Sequence, residues 1–245
     1  MEYLLNENNV SNALVGCILG DSSFEPTFIN IMHSIIYKDY VDFKYNEFSR
    51  FFNVGKIGTS NNWGSNKNEE LRKAKRFRIL RGENYSLDDF RLNLLNENNK
   101  RIIPENLYLI QPVTLFFWYM DDGTLIVRKP NNNYKTSNIR RRLSITLKSF
   151  SDESILKLIE YLNTEFNLEF RPDKNKEKKI IRITTESVSG ISKFLKLFYD
   201  NNFYNFIPDS LHYKFNPEFK EKELDYLNYI PQKRSTTIET ISIVN

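Results

Sequence analysis

Cysteine is almost absent from this chain. Its 245 residues include one cysteine, Cys17, and only two histidines, His33 and His212. That scarcity excludes a disulfide framework, a zinc finger and a Cys/His metal cluster. No apolar run reaches the roughly 20 residues that span a bilayer, because charged residues or asparagines interrupt every stretch. The segment Met1–Val10 holds two acidic side chains and no basic one. It therefore matches neither a secretory signal nor an arginine-rich transit peptide. Alanine (2) and glycine (8) are scarce, whereas Asn, Ile, Lys, Phe and Tyr number 30, 24, 21, 19 and 14. The scarce types have G/C-rich codons and the abundant ones A/T-rich codons. An A/T-rich genome such as an organelle's is the expected source, and a mitochondrial or other organelle matrix the expected location. Chemistry must rest on carboxylates, amines, guanidinium groups, hydroxyls and backbone. At 40% hydrophobic and 14% aromatic residues, the chain can still pack a core, in one or two domains.

The net charge of +4 is small, but it is unevenly spread. Residues 67–81 hold seven basic and two acidic side chains, residues 125–150 seven basic and no acidic, and residues 171–182 six basic and two acidic. Those 53 residues carry +16 and the remaining 192 carry −12. Solvated lysine loops account for any one such window. Three of them at strand-like positions favour a polyanion-binding face, where each phosphate contact releases condensed counterions.

Hydrophobic periodicity lays out the elements. Ser11–Gly20 is an apolar run with Ser11 or Asn12 as its cap, and Ile36–Phe52 repeats aromatic residues every three or four positions; both read as helices. Thr27–His33 alternates as a strand does, with further strands expected at Val54–Thr59 and Ala74–Leu80 around a loop containing Trp63. Ser86–Asn98 opens with Ser86 and Asp89, a capping-box variant. The pattern then restarts: a helix Val113–Met120 behind Pro112, strands Leu125–Arg128 and Arg140–Lys148, a helix Ser151–Phe166, strands Leu168–Arg171 and Lys179–Thr185, and a helix Ser187–Tyr199. Beyond these, Pro217–Tyr229 reads as a short helix and Lys233–Asn245 as an alternating tail. Each half thus follows the order helix, two strands, helix, two strands, helix.

Landmarks support a duplication. Gly20-Asp21 ends the first apolar helix, and Asp121-Asp122-Gly123 ends the second, 101 residues later. Ile103-Pro104 and Ile207-Pro208 close the two halves 104 residues apart. Matched landmarks at matched spacing argue for two pseudo-symmetric halves, expected as 1–107 and 108–245. An aspartate at a helix C-terminus is unfavourable, because the helix dipole is already negative there. For a lone Asp the everyday reading is a local cap. Two, one per half, suggest instead an oxygen site for Mg²⁺, which favours one or two carboxylates plus waters and phosphate. Metal held there can stabilise both the attacking and the leaving oxygen of a phosphodiester.

Leu14–Ser22 (LVGCILGDS) and Leu115–Gly123 (LFFWYMDDG) resemble the two signature helices of single-chain LAGLIDADG homing endonucleases. The lead-in from Gln111 is similar to the omega-intron endonuclease group of yeast mitochondria. Asn98–Pro104, Ile207-Pro208 and Tyr213-Lys214 extend the resemblance, which covers about residues 11–216. The implied fold is α+β: two αββαββα halves, paired signature helices and saddle-shaped antiparallel sheets over DNA. Ala13, Gly16 and Gly20 stand at spacings that let a partner helix come close, while Phe117 departs from the small residue usual in the family.

By position in the motif, the resemblance makes Asp21 and Asp122 the catalytic, metal-binding aspartates. Gly20 and Asp121 lie beside them in the metal site, with Asp121 the non-catalytic member. Lys214, and in the first half Arg101 with Lys100, match the family's basic positions; an arginine there serves charge stabilisation better than proton transfer. Arg76, Arg78, Arg128, Lys135, Arg140, Arg142, Lys148, Arg171, Lys179 and Arg182 are the candidate DNA contacts. The implied activity is Mg²⁺-dependent double-strand cleavage of a long asymmetric DNA site, leaving short 3′ overhangs. Mn²⁺ would substitute, and the particle would be a monomer. Two rivals share features with this reading. An intron-encoded RNA maturase, or a DNA- or RNA-binding protein that has lost cleavage, uses the same scaffold. Tyr119–Asp122 also spells the YxDD of reverse transcriptases, but there the motif occupies a strand turn in a much longer chain.

Overall fold

The computed structural model describes residues 3–61, 73–82, 86–128 and 140–215. The Trp63 loop, the Lys67–Arg72 part of the first basic window, Lys135, the Pro217–Tyr229 helix and the Lys233–Asn245 tail lie outside these residues. No helix among the described residues is long and apolar enough to cross a membrane. The chain divides into two compact units.

The first unit comprises Met1–Asp122 together with Pro208–Leu211. It runs α1 (Val10–Leu19), β1 (Ser23–Phe24), β2 (Phe28–Ser34), α2 (Lys38–Phe48), β3 (Gly58–Ser60), β4 (Ala74–Leu80), α3 (Leu87–Leu94) and α4 (Pro112–Asp122). The strands form one antiparallel sheet in the order β1-β2-β4-β3. Along β2 the alternation sends Ile29, Ile31 and His33 inward, and the register sets Asn30 opposite Arg78 and Met32 opposite Arg76 on the other face. Every residue of α4 from Val113 to Met120 is buried. A helix apolar all round must be covered on all sides, and α4 packs against α1, itself buried from Ala13 to Leu19.

The second unit holds β5 (Gly123–Arg128), β6 (Arg140–Thr146), α5 (Asp152–Glu165), β7 (Arg171–Lys174), β8 (Ile180–Thr185), α6 (Val188–Asp200) and α7 (His212–Phe215). Its sheet is antiparallel in the order β5-β6-β8-β7, the counterpart of the first. Leu143, Ile145 and Ile183 face a core completed by Ile155, Leu158 and Leu162 of α5 and by Ile191, Phe194 and Phe198 of α6. Ser151 and Ser187 cap α5 and α6, their hydroxyls accepting the Ser154 and Gly190 N–H groups.

Each half therefore follows αββαββα as expected, with local departures. The residue at the cap of α1 is Asn9, and no side-chain hydrogen bond closes that end. The helix expected over Ile36–Phe52 is a 3-10 turn (Ile35–Tyr37) followed by α2, which stops at Phe48. The strand expected at Leu168–Arg171 begins only at Arg171. Asn163 intervenes: its side chain accepts the Phe170 N–H at 2.9 Å and donates to the Phe170 carbonyl at 2.9 Å, taking both groups out of the ladder. The second signature helix runs through Asp121 and Asp122 rather than ending before them. The duplication sets a sequence boundary at 107/108, whereas packing groups α4 with the first unit and divides the chain after Asp122.

Candidate active site

Two glycines let α1 and α4 meet. A Cβ at Gly16 would lie 2.4 Å from the Thr114 carbonyl oxygen and 3.0 Å from Phe117 Cβ; one at Gly20 would lie 2.4 Å from Asp121 Oδ2. Neither position has room for a side chain. The close approach brings Asp121 Oδ2 to 3.1 Å from the Asp21 N–H, which donates to it.

Asp121 has a fully buried side chain. Its Oδ1 accepts from the Tyr40 hydroxyl at 2.7 Å and from Lys44 Nζ at 2.8 Å. Lys44 is itself fully buried, its ammonium 4.2 Å from the Tyr40 ring centroid and 3.1 Å from His33 Nε2. His33 lies on β2 with its Nδ1 3.5 Å from Asp21 Oδ2. Burial pulls the Lys44 ammonium down most strongly, yet Asp121 and the other acidic groups around it together hold its pKa above the ordinary value. Burial, then Lys44, lowers the His33 imidazole, so it is neutral near pH 7. Burial and Asp121 push the Tyr40 phenol well up, and burial pushes the Cys17 thiol up to about 12.

Asp21, His33 and Asp121 offer ligand atoms that all lie within 4.8 Å of one another. Two of these residues already share the Lys44 ammonium, His33 through Nε2 and Asp121 through Oδ1. A resident cation thus holds the inner part of this group. Asp21 is different: its side chain is 49% exposed, at the end of α1. Arg101 closes that end, its guanidinium donating to the carbonyls of Ile18 at 3.2 Å, Leu19 at 3.4 Å and Gly20. Three carbonyls at a helix C-terminus attract a cation, so the basic residue expected near Asp21 sits beside it by capping α1. Lys100 is exposed next to Arg101, Asp122 is half-buried as the last residue of α4, and Gly20 is buried. Lys214 is buried on α7, which packs beside β5 in the second unit.

Of the expected DNA contacts, Arg76 and Arg78 stand on β4, with Arg78 exposed and 4.4 Å from the Phe28 ring centroid. Arg128 and Arg140 are register partners on β5 and β6. In the second unit Arg142, Arg171 and Arg182 gather around two carboxylates. Arg142 bonds Glu186 at 2.7 Å and faces Asp173 at 3.5 Å; Arg182 reaches Asp173 at 3.0 Å, and Arg171 Glu186 at 3.6 Å. Lys148 and Lys179 are exposed, the latter donating to the Lys148 carbonyl at 3.3 Å.

His33, Tyr40, Lys44, Asp173 and Glu186 were not among the expected site residues. A signal for Lys44 existed. Tyr40, Lys44, Glu47 and Phe48 form one stripe of α2 at spacings of four and three, and two charges within an otherwise aromatic stripe require buried partners.

The profile of the LAGLIDADG DNA endonuclease family matches residues 11–191. A probable intron-encoded endonuclease of Wickerhamomyces canadensis is 39% identical over 89 residues, which are 36% of this chain and 36% of that protein. A RecA protein of Mycolicibacterium flavescens is 28% identical over 127 residues, 51% of this chain and 28% of that protein. The chain thus spans about a third of the length of these relatives. Among solved structures, the homing endonuclease I-WcaI bound to its DNA recognition sequence aligns over 87% of this chain and 88% of its own, with a TM-score of 0.58 and 26% identity. The meganuclease I-SmaMI, bound to uncleaveable DNA, shares the fold at 13% identity and a TM-score of 0.52, over 90% of this chain and 98% of its own. With its profile match across most of the length, the chain belongs to the LAGLIDADG DNA endonuclease family.

Proposed function

We propose that this protein is a site-specific DNA endonuclease that makes metal-dependent double-strand breaks with short 3′ overhangs in a long, asymmetric target. One observation carries the reading: Gly16 and Gly20 admit α4 so closely against α1 that Asp121, in the last turn of α4, accepts the Asp21 backbone N–H. An exposed carboxylate on a helix end that already repels negative charge suits a hard divalent cation better than it suits stability. Asp21 and Asp122 would hold Mg²⁺, with Mn²⁺ as a substitute. Such an ion would supply charge neutralisation at the attacking and leaving oxygens of the phosphodiester. Arg101 and Lys100 would add positive charge beside Asp21, and Lys214 would do so for the second half. Asp121, engaged by Tyr40, Lys44 and the Asp21 N–H, serves structure.

The outer sheet faces would meet DNA. Arg76 and Arg78 lie opposite Met32 and Asn30 on one, while Arg142, Arg171 and Arg182 form the basic cluster of the other. Arg128, Lys135, Arg140, Lys148 and Lys179 complete the expected contact set. Because the two faces carry different side chains, the target would be non-palindromic, and one chain would bind one site as a monomer. Organelle-encoded origin fits the amino-acid composition and the intron-encoded relative. Selection of cleaved sites from a library randomised around the intron-insertion sequence tests this. The expected result is one long asymmetric site; recovery of a palindrome, or of RNA binding without any cleaved DNA, overturns it.

A further inference from the structure

Asp21 follows the cap of α1, and the positions of its two side-chain oxygens decide where a cation can sit. Two buried side chains, His33 and Asp121, reach Asp21, and a third, Lys44, joins those two. The Lys44 ammonium stands 2.8 Å from Asp121 Oδ1 and 3.1 Å from His33 Nε2. Asp121 Oδ2 accepts the Asp21 backbone N–H. His33 presents Nδ1 to Asp21 Oδ2 at 3.5 Å. An ammonium can only donate, so Nε2 of His33 must offer its lone pair. A neutral imidazole with its lone pair on Nε2 carries its proton on Nδ1, the nitrogen that faces Asp21.

We propose that Lys44 and His33 are positioning residues that fix the Asp21 carboxylate: Lys44 selects the Nδ1–H tautomer of His33, and that N–H holds Asp21 Oδ2. About half of the Asp21 side chain faces solvent, the side from which a cation would arrive. Packing keeps the relay in place. The His33 ring stacks at 4.8 Å, tilted, on the Tyr40 ring, and Tyr40 in turn bonds Asp121. With Lys44 and Asp121 compensating each other, the group imposes no net charge behind Asp21. The effect on cleavage rests on the endonuclease reading, whereas the tautomer does not.

With only two histidines in the chain, the imidazole nitrogens can be observed directly. An ¹⁵N-correlated spectrum of the whole 245-residue chain at pH 7, assigned with His212→Gln, should show His33 protonated on Nδ1 and bare on Nε2. Lys44→Met should mix the two tautomers. In single-turnover cleavage, His33→Leu should slow the reaction about 10- to 100-fold, the scale on which misplacement of a reacting group by about an ångström acts. Target affinity measured without metal should stay within about threefold. His33→Asn, whose amide can donate from nearly the same place, should recover most of the rate. A protonated Nε2 in the unmodified protein, or a His33→Leu variant that cuts at the normal rate, overturns the proposal. If the unmodified protein cuts no DNA, the endonuclease reading fails, and the spectrum still decides the relay.

Discussion

Gly16→Ala probes the contact on which the paired aspartates depend. The added methyl would sit 2.4 Å from the Thr114 carbonyl oxygen, where ordinary contact begins at 3.4 Å, so α4 must retreat by about 1 Å. The obstructing atom is backbone and cannot rotate away. Overpacking of this kind costs about 3 kcal/mol at the upper end of its range. Alanine returns about 1 kcal/mol through its higher helix propensity, leaving a net loss near 2 kcal/mol. For a chain of this size that lowers Tm by about 4–8 °C. Gly58→Ala is the control, since a Cβ there meets nothing within 4 Å, and its Tm should be unchanged or slightly raised. Differential scanning calorimetry of both variants decides the matter. A Gly16→Ala protein as stable as the parent or more so would refute the close packing of α1 on α4.

Further outcomes can be checked. Asp121→Asn leaves the buried Lys44 without its counter-charge and should cost about 3–5 kcal/mol of stability in denaturant titration; adding Lys44→Met should recover most of that loss. His33 binds its proton less readily in the folded chain than in the unfolded one. Its contribution is therefore present above about pH 6.5 and lost as the pH falls through that value, so a scan of Tm between pH 5 and 8 should be less steep in His33→Asn than in the parent. Cys17, with its thiol pushed up to about 12, should resist alkylation at pH 8 until the chain unfolds, as mass spectrometry would show. Glu186→Gln releases Arg142 and Arg171, and should raise affinity for unrelated DNA about threefold or more at low salt with a steeper salt dependence.

Much of the fold was legible because its signals are local. The alternation of Leu143, Ile145 and Leu147, the helix starts at Ser151 and Ser187, and the continuous apolar run before Asp122 each need only a few consecutive residues. The β7 boundary was not, since Asn163 draws Phe170 out of the ladder from seven residues away. The aspartates and small residues of the helix pair could be read from the motif. Their surroundings could not: Lys44 and His33 join Asp21 and Asp121 only after α2 and β2 have folded around α1 and α4. Likewise the basic strand residues were visible as charge, but their carboxylate partners were not. Asp173 meets Arg182 through the β7–β8 register, and Glu186, just past β8, holds Arg142 and Arg171.

The most direct measurement is cleavage of a supercoiled plasmid carrying the intronless insertion sequence, in Mg²⁺, by the parent chain and by Asp21→Asn, Asp122→Asn and Asp121→Asn. The parent should yield linear DNA with short 3′ overhangs. Asp21→Asn and Asp122→Asn should yield none while binding the site within about tenfold of the parent affinity, as expected if the carboxylates hold the metal rather than the DNA. Asp121→Asn, assayed well below its lowered Tm, should retain cleavage. Linear product from Asp122→Asn with none from Asp121→Asn would contradict the assignment, and an intact plasmid with the parent chain would contradict the endonuclease itself.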